Sequence, residues 1–198
     1  MPDFVRDADG RVPVAVFLSG RGSNFLALAE AAKAPDFPAK IVLALSNKAD
    51  AKGLESARAM GIPTVAIAHR GFASRDDFDA AIEAEVMRAG AQFICLAGFM
   101  RILGAPFVGR WEGRMMNVHP SLLPLYRGLE THARALADGA TEHGCTVHLV
   151  TPELDDGPIL AQARVPVLPD DTPDSLAARV LVEEHKIYPA ALADYLKA

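Results

Sequence analysis

Short apolar runs alternate with segments of helical periodicity along the first half of the chain. Buried strands are predicted where apolar and β-branched residues are bounded by glycine or polar residues, at 12–18, 41–45, 64–68 and 93–97. Helices are predicted between them, at 24–34, 51–60 and 75–89. Because strands that alternate with helices form parallel β–α–β units, this half is predicted to be a layered α/β sheet.

The second half departs from that alternation. Strands are predicted at 114–118, 145–150 and 159–165, a short helix at 131–139 and a long helix at 174–196. Pro189 is expected to kink or split the long helix, because proline has no backbone N–H. The short loop between the last two strands fits an antiparallel or mixed pairing. We therefore predict one Rossmann-like, doubly wound α/β domain at 12–198, with a parallel N-terminal half, a mixed C-terminal half and a short extension at 1–11.

Composition narrows the class of protein. The 198 residues, 51% of them hydrophobic, suffice for one domain with a substantial core. The net charge of −5 argues against a nucleic-acid partner, and the apolar runs are far shorter than the roughly 20 residues that cross a membrane. The acidic start is unlike a signal peptide, and Cys95 and Cys145 lie in apolar stretches, which favours free thiols in the cytoplasm. Neither H-E-x-x-H nor paired cysteines occur, so no metal is expected.

The most distinctive chemistry lies at the end of the predicted strand 114–118. Asn117 and His119 alternate along the chain, so on an extended strand both side chains face the same way. Pro120 and Pro124 then restrict the backbone. An amide and an imidazole held side by side suit the stabilisation of charge on an oxygen atom, although a buried amide and a core histidine would give the same pattern.

Three loops offer further candidates. The glycine-rich segment 19–24 precedes a helix and fits a phosphate site, or simply a tight turn; Phe25 stands where a dinucleotide motif needs its third glycine. The acidic segment 153–158 is either a solvated turn or the source of a carboxylate that orients the histidine. The segment 98–103 is either the start of an apolar helix or a wall for a flat heterocycle.

Five segments occur together and in order, at 19–24, 46–51, 96–103, 117–124 and 154–158. On these residues the chain resembles the glycinamide ribonucleotide formyltransferases, a family within the folate-dependent formyltransferase superfamily. The resemblance covers nearly the whole chain after residue 11. It implies transfer of a formyl group from 10-formyltetrahydrofolate, as co-substrate, to the amine of glycinamide ribonucleotide in purine biosynthesis. It also implies a cis peptide before Pro124.

The resemblance also assigns roles to residues. Asn117 and protonated His119 would bind the oxyanion of the tetrahedral intermediate, and Asp155 would keep His119 charged. The substrate's phosphate and ribose would be bound by Gly22, Ser23, Asn24 and Glu184. The folate would be bound by Arg75, Met100, Arg101, Ile102, Leu103, Val150 and Thr151. The chain departs from relatives at Leu181, where a polar or basic residue often lies near the phosphate, and Arg21 is a candidate replacement.

Three other functions are weighed against this one. Formyltetrahydrofolate deformylase has the same three catalytic groups but usually carries an N-terminal regulatory domain, for which 11 residues leave no room. Methionyl-tRNA formyltransferase would need a C-terminal domain and a basic surface. A non-catalytic phosphate-binding domain would need the glycine-rich loop but not Asn117, His119 and Asp155 together. We expect a cytoplasmic monomer or homodimer with no nucleic-acid or membrane partner.

Overall fold

The computed structural model describes residues 2–198 as a seven-stranded sheet with helices on both faces. The strands are β1 (Val12–Leu18), β2 (Ala39–Ser46), β3 (Thr64–Ala66), β4 (Phe93–Leu96), β5 (Met115–His119), β6 (Glu142–Leu149) and β7 (Ile159–Pro166). The helices are α1 (Ser23–Ala31), α2 (Lys52–Ala59), α3 (Arg75–Arg88), α4 (Ala105–Arg110), α5 (Thr131–Ala137) and α6 (Pro173–Lys197), with a 3-10 turn at His69–Gly71.

The strand order is β3-β2-β1-β4-β5-β6-β7. The first five strands are parallel to one another, whereas β6 pairs antiparallel with β5, and β7 pairs antiparallel with β6. This confirms the predicted Rossmann-like sheet with a parallel first half and a mixed second half. From β1 the chain adds β2 and β3 on one side of the sheet, and it then crosses to add β4 and β5 on the other side of β1. Ligands in such sheets bind at the carboxyl ends of the strands next to this change of direction.

The central strand β1 shows why its apolar run is continuous. Val14, Val16 and Leu18 belong to a core cluster that includes residues of α1, α2 and α6. Ala15 and Phe17 point the other way, into a cluster built with α3 and α4. Both faces of the strand are therefore buried, as expected for a parallel sheet covered by helices on each side.

The structure differs from the sequence prediction in two helices. Helix α4 was not predicted; it follows Gly104, carries Pro106 in its first turn and buries Phe107 and Val108. The chain also stays helical through Pro189, so α6 is one element. Buried residues lie on both sides of that proline, including Tyr188 and Leu192, and their packing holds the helix together where proline alone would weaken it.

The described residues before β1, from residue 2 onwards, pack onto the domain. The Phe4 ring meets the Phe93 ring edge-on with centroids 5.8 Å apart, and Arg6 donates a 2.7 Å hydrogen bond to the carbonyl of Leu196. This segment therefore joins the start of β4 to the end of α6. Within residues 2–198, no helix has the length and apolar character needed to cross a membrane.

Candidate active site

The site is built where β5 ends beside the antiparallel strand β6. Asn117 and His119 lie two residues apart on β5, and Asn117 is paired in register with His148 of β6. Residues that pair directly across two strands share a face of the sheet, so the amide and the His148 imidazole are neighbours. The reversal of strand direction after β5 thus brings a second imidazole to the site.

His119 is buried, and its two ring nitrogens face different oxygen atoms. Nε2 lies 2.9 Å from the backbone carbonyl of Tyr126, and Nδ1 lies 3.4 Å from Oδ2 of Asp155. Because a carbonyl only accepts hydrogen bonds, the Nε2 proton is donated to Tyr126. Nδ1 is therefore the nitrogen that faces the carboxylate and remains for other chemistry.

Asp155 is held in an unusual backbone conformation. Its φ of 50° lies in the left-handed region, which non-glycine residues seldom adopt. Oδ2 accepts a 2.9 Å hydrogen bond from the backbone N–H of Gly128, and Oδ1 lies 3.7 Å from Nε2 of His148. The carboxylate is consequently fixed between two imidazoles by the loop that follows β5.

His148 was missed by sequence reasoning. Its Nδ1 donates to the Leu149 carbonyl at 2.9 Å, so Nε2 is free to accept from Nδ2 of Asn117 at 3.3 Å. Burial lowers the pKa of His148, which favours this neutral form. In sequence it is one of several polar residues in its strand, and only the strand register shows that it orients Asn117.

The glycine-rich loop and the last long helix meet at a second group of polar residues. Helix α1 begins at Ser23, directly after Gly22, whose φ is 76°. Nδ2 of Asn24 donates a 2.6 Å hydrogen bond to Oε2 of Glu184, and Oδ1 of Asn24 is buried without a partner among the described residues. Burial raises the pKa of Glu184, while the bond from Asn24 acts in the opposite direction.

The residues predicted to bind the folate come from three segments of the chain. Met100 and Ile102 are 65% and 63% exposed, while Leu103 is buried. Val150 and Thr151 follow β6, and the Val150 N–H bonds to the Met115 carbonyl at 2.9 Å, which keeps this turn beside β5.

Arg75 and Arg101 lie on the α3 side of the predicted folate residues. The guanidinium of Arg101 is 6.0 Å from the ring centre of Phe78 in α3. Arg75 starts that helix and is exposed. Both arginines are near enough to Asp79 to lower its pKa against the larger opposing effect of burial. Neither arginine makes a hydrogen bond or ion pair with Asn117, His119 or Asp155 among the described residues.

Two further expectations concern the backbone and metals. The Leu123–Pro124 peptide is cis, as the resemblance implied. Across residues 2–198, His, Cys, Asp and Glu side chains form no group of three or more that could hold a metal ion. Leu181 is half-buried and Arg21 is exposed.

The fold is an α/β sheet of the kind found in many enzymes. An amide, an imidazole and a carboxylate lie together where β5 ends, as in an enzyme active site. Sequence comparison is more specific. The chain belongs to the formyl transferase family, whose sequence profile matches residues 12–192.

The relatives include both single enzymes and parts of larger proteins. Phosphoribosylglycinamide formyltransferase of Escherichia coli K12 is 46% identical over 91% of this chain and 85% of its own length. The trifunctional purine biosynthetic protein adenosine-3 of Homo sapiens is 48% identical over 90% of this chain. This chain therefore spans only 18% of the length of the human protein and 14% of the length of its Drosophila melanogaster counterpart.

Solved structures agree with the sequence relatives. Phosphoribosylglycinamide formyltransferase of Brucella melitensis has a TM-score of 0.91 at 52% identity, covering 95% of this chain and 97% of that one. Glycinamide ribonucleotide transformylase 1 of Symbiobacterium toebii has a TM-score of 0.93 at 39% identity, covering 96% and 90%. The whole described domain, rather than one motif, is shared with these enzymes.

Proposed function

We propose that this protein transfers a formyl group from 10-formyltetrahydrofolate to the amine of glycinamide ribonucleotide, a step of de novo purine biosynthesis. The observation that carries the proposal is the placement of His119 between the Tyr126 carbonyl and the Asp155 carboxylate, with Asn117 on the same strand. The names of the full-length relatives support the choice of acceptor. We propose that the formyltransferase domain comprises residues 12–198.

The proposed catalytic residues act on the oxygen of the formyl group. The amine nitrogen bonds to the formyl carbon, and the carbonyl electron pair moves to the oxygen. Nδ1–H of protonated His119 and the Asn117 amide proton not used by His148 then stabilise the oxyanion. Asp155 stabilises the imidazolium and takes part in moving the amine proton to the folate nitrogen, after which the carbon–nitrogen bond to the folate breaks.

The ribonucleotide is proposed to bind at the start of α1. The backbone amides of Gly22, Ser23 and Asn24 lie where a phosphate is stabilised by free N–H groups and by the helix dipole. Glu184 would accept hydrogen bonds from the ribose hydroxyls, which explains why a carboxylate is kept in a buried position.

The folate is proposed to lie beside the segment after β4. The exposed side chains of Met100 and Ile102 offer an apolar surface for a flat ring, together with Leu103, Val150 and Thr151. Arg75 would meet the negatively charged glutamate of the folate, and Arg101 would line the folate pocket. We propose no metal, nucleic-acid or membrane partner, and a cytoplasmic monomer or homodimer.

The deciding experiment follows the absorbance of the folate with and without glycinamide ribonucleotide. Product that forms only with the ribonucleotide supports the transferase. Product that forms equally without it would make the protein a deformylase, and no product in either case would favour a binding module. His119→Ala should bind ribose 5-phosphate as the parent does but lose about 10²-fold or more in kcat.

A further inference from the structure

Ser19 connects three loops that follow three neighbouring strands. It stands directly after β1 and is 4% exposed. Its N–H donates to the Gly98 carbonyl at 3.1 Å, its hydroxyl donates to Oδ1 of Asn47 at 2.5 Å, and its Oγ accepts from the N–H of Met100 at 2.8 Å. The hydroxyl thus donates a hydrogen bond to the loop after β2 and accepts one from the loop after β4.

The loops joined by Ser19 include both proposed substrate-binding segments. Gly22, the first residue of the proposed phosphate site, follows Ser19 by three residues along the chain. Met100, whose N–H is held by Ser19, opens the segment proposed to contact the folate. At its other end that segment is held by Asp79, whose Oδ2 accepts a 2.6 Å hydrogen bond from the Gly104 N–H.

Asn47 fixes the orientation of the Ser19 hydroxyl. It is 4% exposed, and its loop is held by a 3.0 Å bond from the Lys48 N–H to Oγ of Ser46. With Asn47 as acceptor, the Ser19 proton points away from Met100, which leaves a lone pair for the Met100 N–H. Hydrogen-bond donation therefore runs in one direction, from the Met100 N–H of the folate segment through the Ser19 hydroxyl to Oδ1 of Asn47.

We propose that Ser19 is a positioning residue that sets the distance between the formyl donor and the acceptor amine. The proposal rests on the function proposed above. Ser19 contacts neither reacting group; it fixes the main chain of the folate segment against the start of the phosphate loop. A displacement of about 1 Å between two bound reactants lowers the reaction rate by up to about 10²-fold, even when each reactant still binds.

The test compares binding of each ligand alone with the reaction between them. In Ser19→Ala, we expect the Kd for tetrahydrofolate under anaerobic conditions, and the Kd for ribose 5-phosphate, to change by less than about 3-fold. The single-turnover rate of formyl transfer should fall by about 10-fold or more. An unchanged rate would refute the proposal. A rise in the tetrahydrofolate Kd as large as the fall in rate would also refute it, because Ser19 would then only maintain the folate pocket.

Three further variants separate positioning from folding. Ser19→Thr keeps the hydroxyl and should recover most of the rate, and Asn47→Ala should slow transfer without adding to the effect of Ser19→Ala. Ser56→Ala is the matched control, because Oγ of Ser56 bonds only to Lys52 within α2 among the described residues and should leave the rate unchanged. Additive losses in the double variant would contradict the proposal. If the parent protein itself transfers no formyl group, the proposed function fails instead.

Discussion

At the scale of single residues, the charge of Asp155 decides how His119 can act. Asp155→Asn keeps the size of the side chain but removes the negative charge 3.4 Å from Nδ1 of His119. We expect kcat to fall by about 10² to 10⁴, because an uncharged neighbour no longer favours the imidazolium. The measurement is a pH–rate profile of formyl transfer.

The adjacent residue supplies the control for that variant. Asp156 is exposed and paired with Arg127, so Asp156→Asn should change kcat by less than about 3-fold. Equal losses in the two variants would show that the rate depends on the folding of the acidic loop and not on the carboxylate beside His119.

Glu184 is the residue at which stability and the proposed function oppose each other. Burial raises its pKa above the ordinary 4.5, so keeping it ionised costs folding free energy at neutral pH. Glu184→Gln retains an oxygen for Asn24 and should leave the free energy of unfolding at pH 7.5 equal or higher, while the KM for the ribonucleotide rises. Urea unfolding and steady-state kinetics measure the two effects, and a large loss of stability would contradict this account.

The sequence reveals single functional residues unevenly. Asn117 and His119 could be singled out because they stand two residues apart at the end of a predicted strand and are followed by prolines. His148 could not, since its contact with Asn117 depends on pairing across the sheet. The two residues are 31 positions apart, and the register of two strands cannot be predicted from the sequence of either strand alone.

At the scale of elements, the proposed phosphate loop depends on close packing between two glycines. A Cβ on Gly53 would lie 3.1 Å from the Cα of Gly22 and 2.9 Å from the methyl groups of Leu18. Gly53→Ala should therefore displace the loop, raise the KM for the ribonucleotide, and lower the free energy of unfolding by about 1–2 kcal/mol. This loss is expected even though alanine favours a helix by about 0.5–1 kcal/mol over glycine.

A second helical glycine isolates the packing effect. Gly109 lies in α4, and a Cβ there would meet nothing within 4 Å among the described residues. Gly109→Ala should be neutral or slightly stabilising and should leave KM unchanged. A similar loss of stability in both variants would mean that loop packing is not the cause.

Element types were easier to predict than element limits. The strand at 12–18 was predicted with its observed bounds, because a fully buried parallel strand is a continuous apolar run. Helix α4 was missed because six residues are too few to show helical periodicity. Strand β6 begins at Glu142 rather than 145, because its first three residues, Glu142, His143 and Gly144, are not apolar and are recognisable as strand only from their pairing with β7.

At the scale of the whole molecule, the histidines make stability depend on pH. Burial lowers the pKa of His143 from 6.5 to about 4, and burial also lowers the pKa values of His132 and His148. Between pH 4 and 6.5 the unfolded chain therefore binds protons that the folded chain does not. The free energy of unfolding should fall as the pH drops through this window and level off above about 6.5.

Urea unfolding from pH 7.5 to 4.5 tests this dependence. Glu184 and Asp79 act in the opposite sense, because burial raises the pKa of each carboxyl. His143→Gln should reduce the drop in unfolding free energy by up to about 3 kcal/mol. A drop of the same size in the variant would assign the effect to other groups.

The hydrogen bond between Asn24 and Glu184 joins residues 160 positions apart in the chain. During translation, a nascent chain that has already folded its first strands still lacks this bond until α6 has left the ribosome. The part of the proposed ribose–phosphate site in α1 is thus synthesised early, and the part in α6 is synthesised late. Capture by an immobilised phosphorylated sugar would therefore separate ribosome-bound chains that have completed α6 from those that have not.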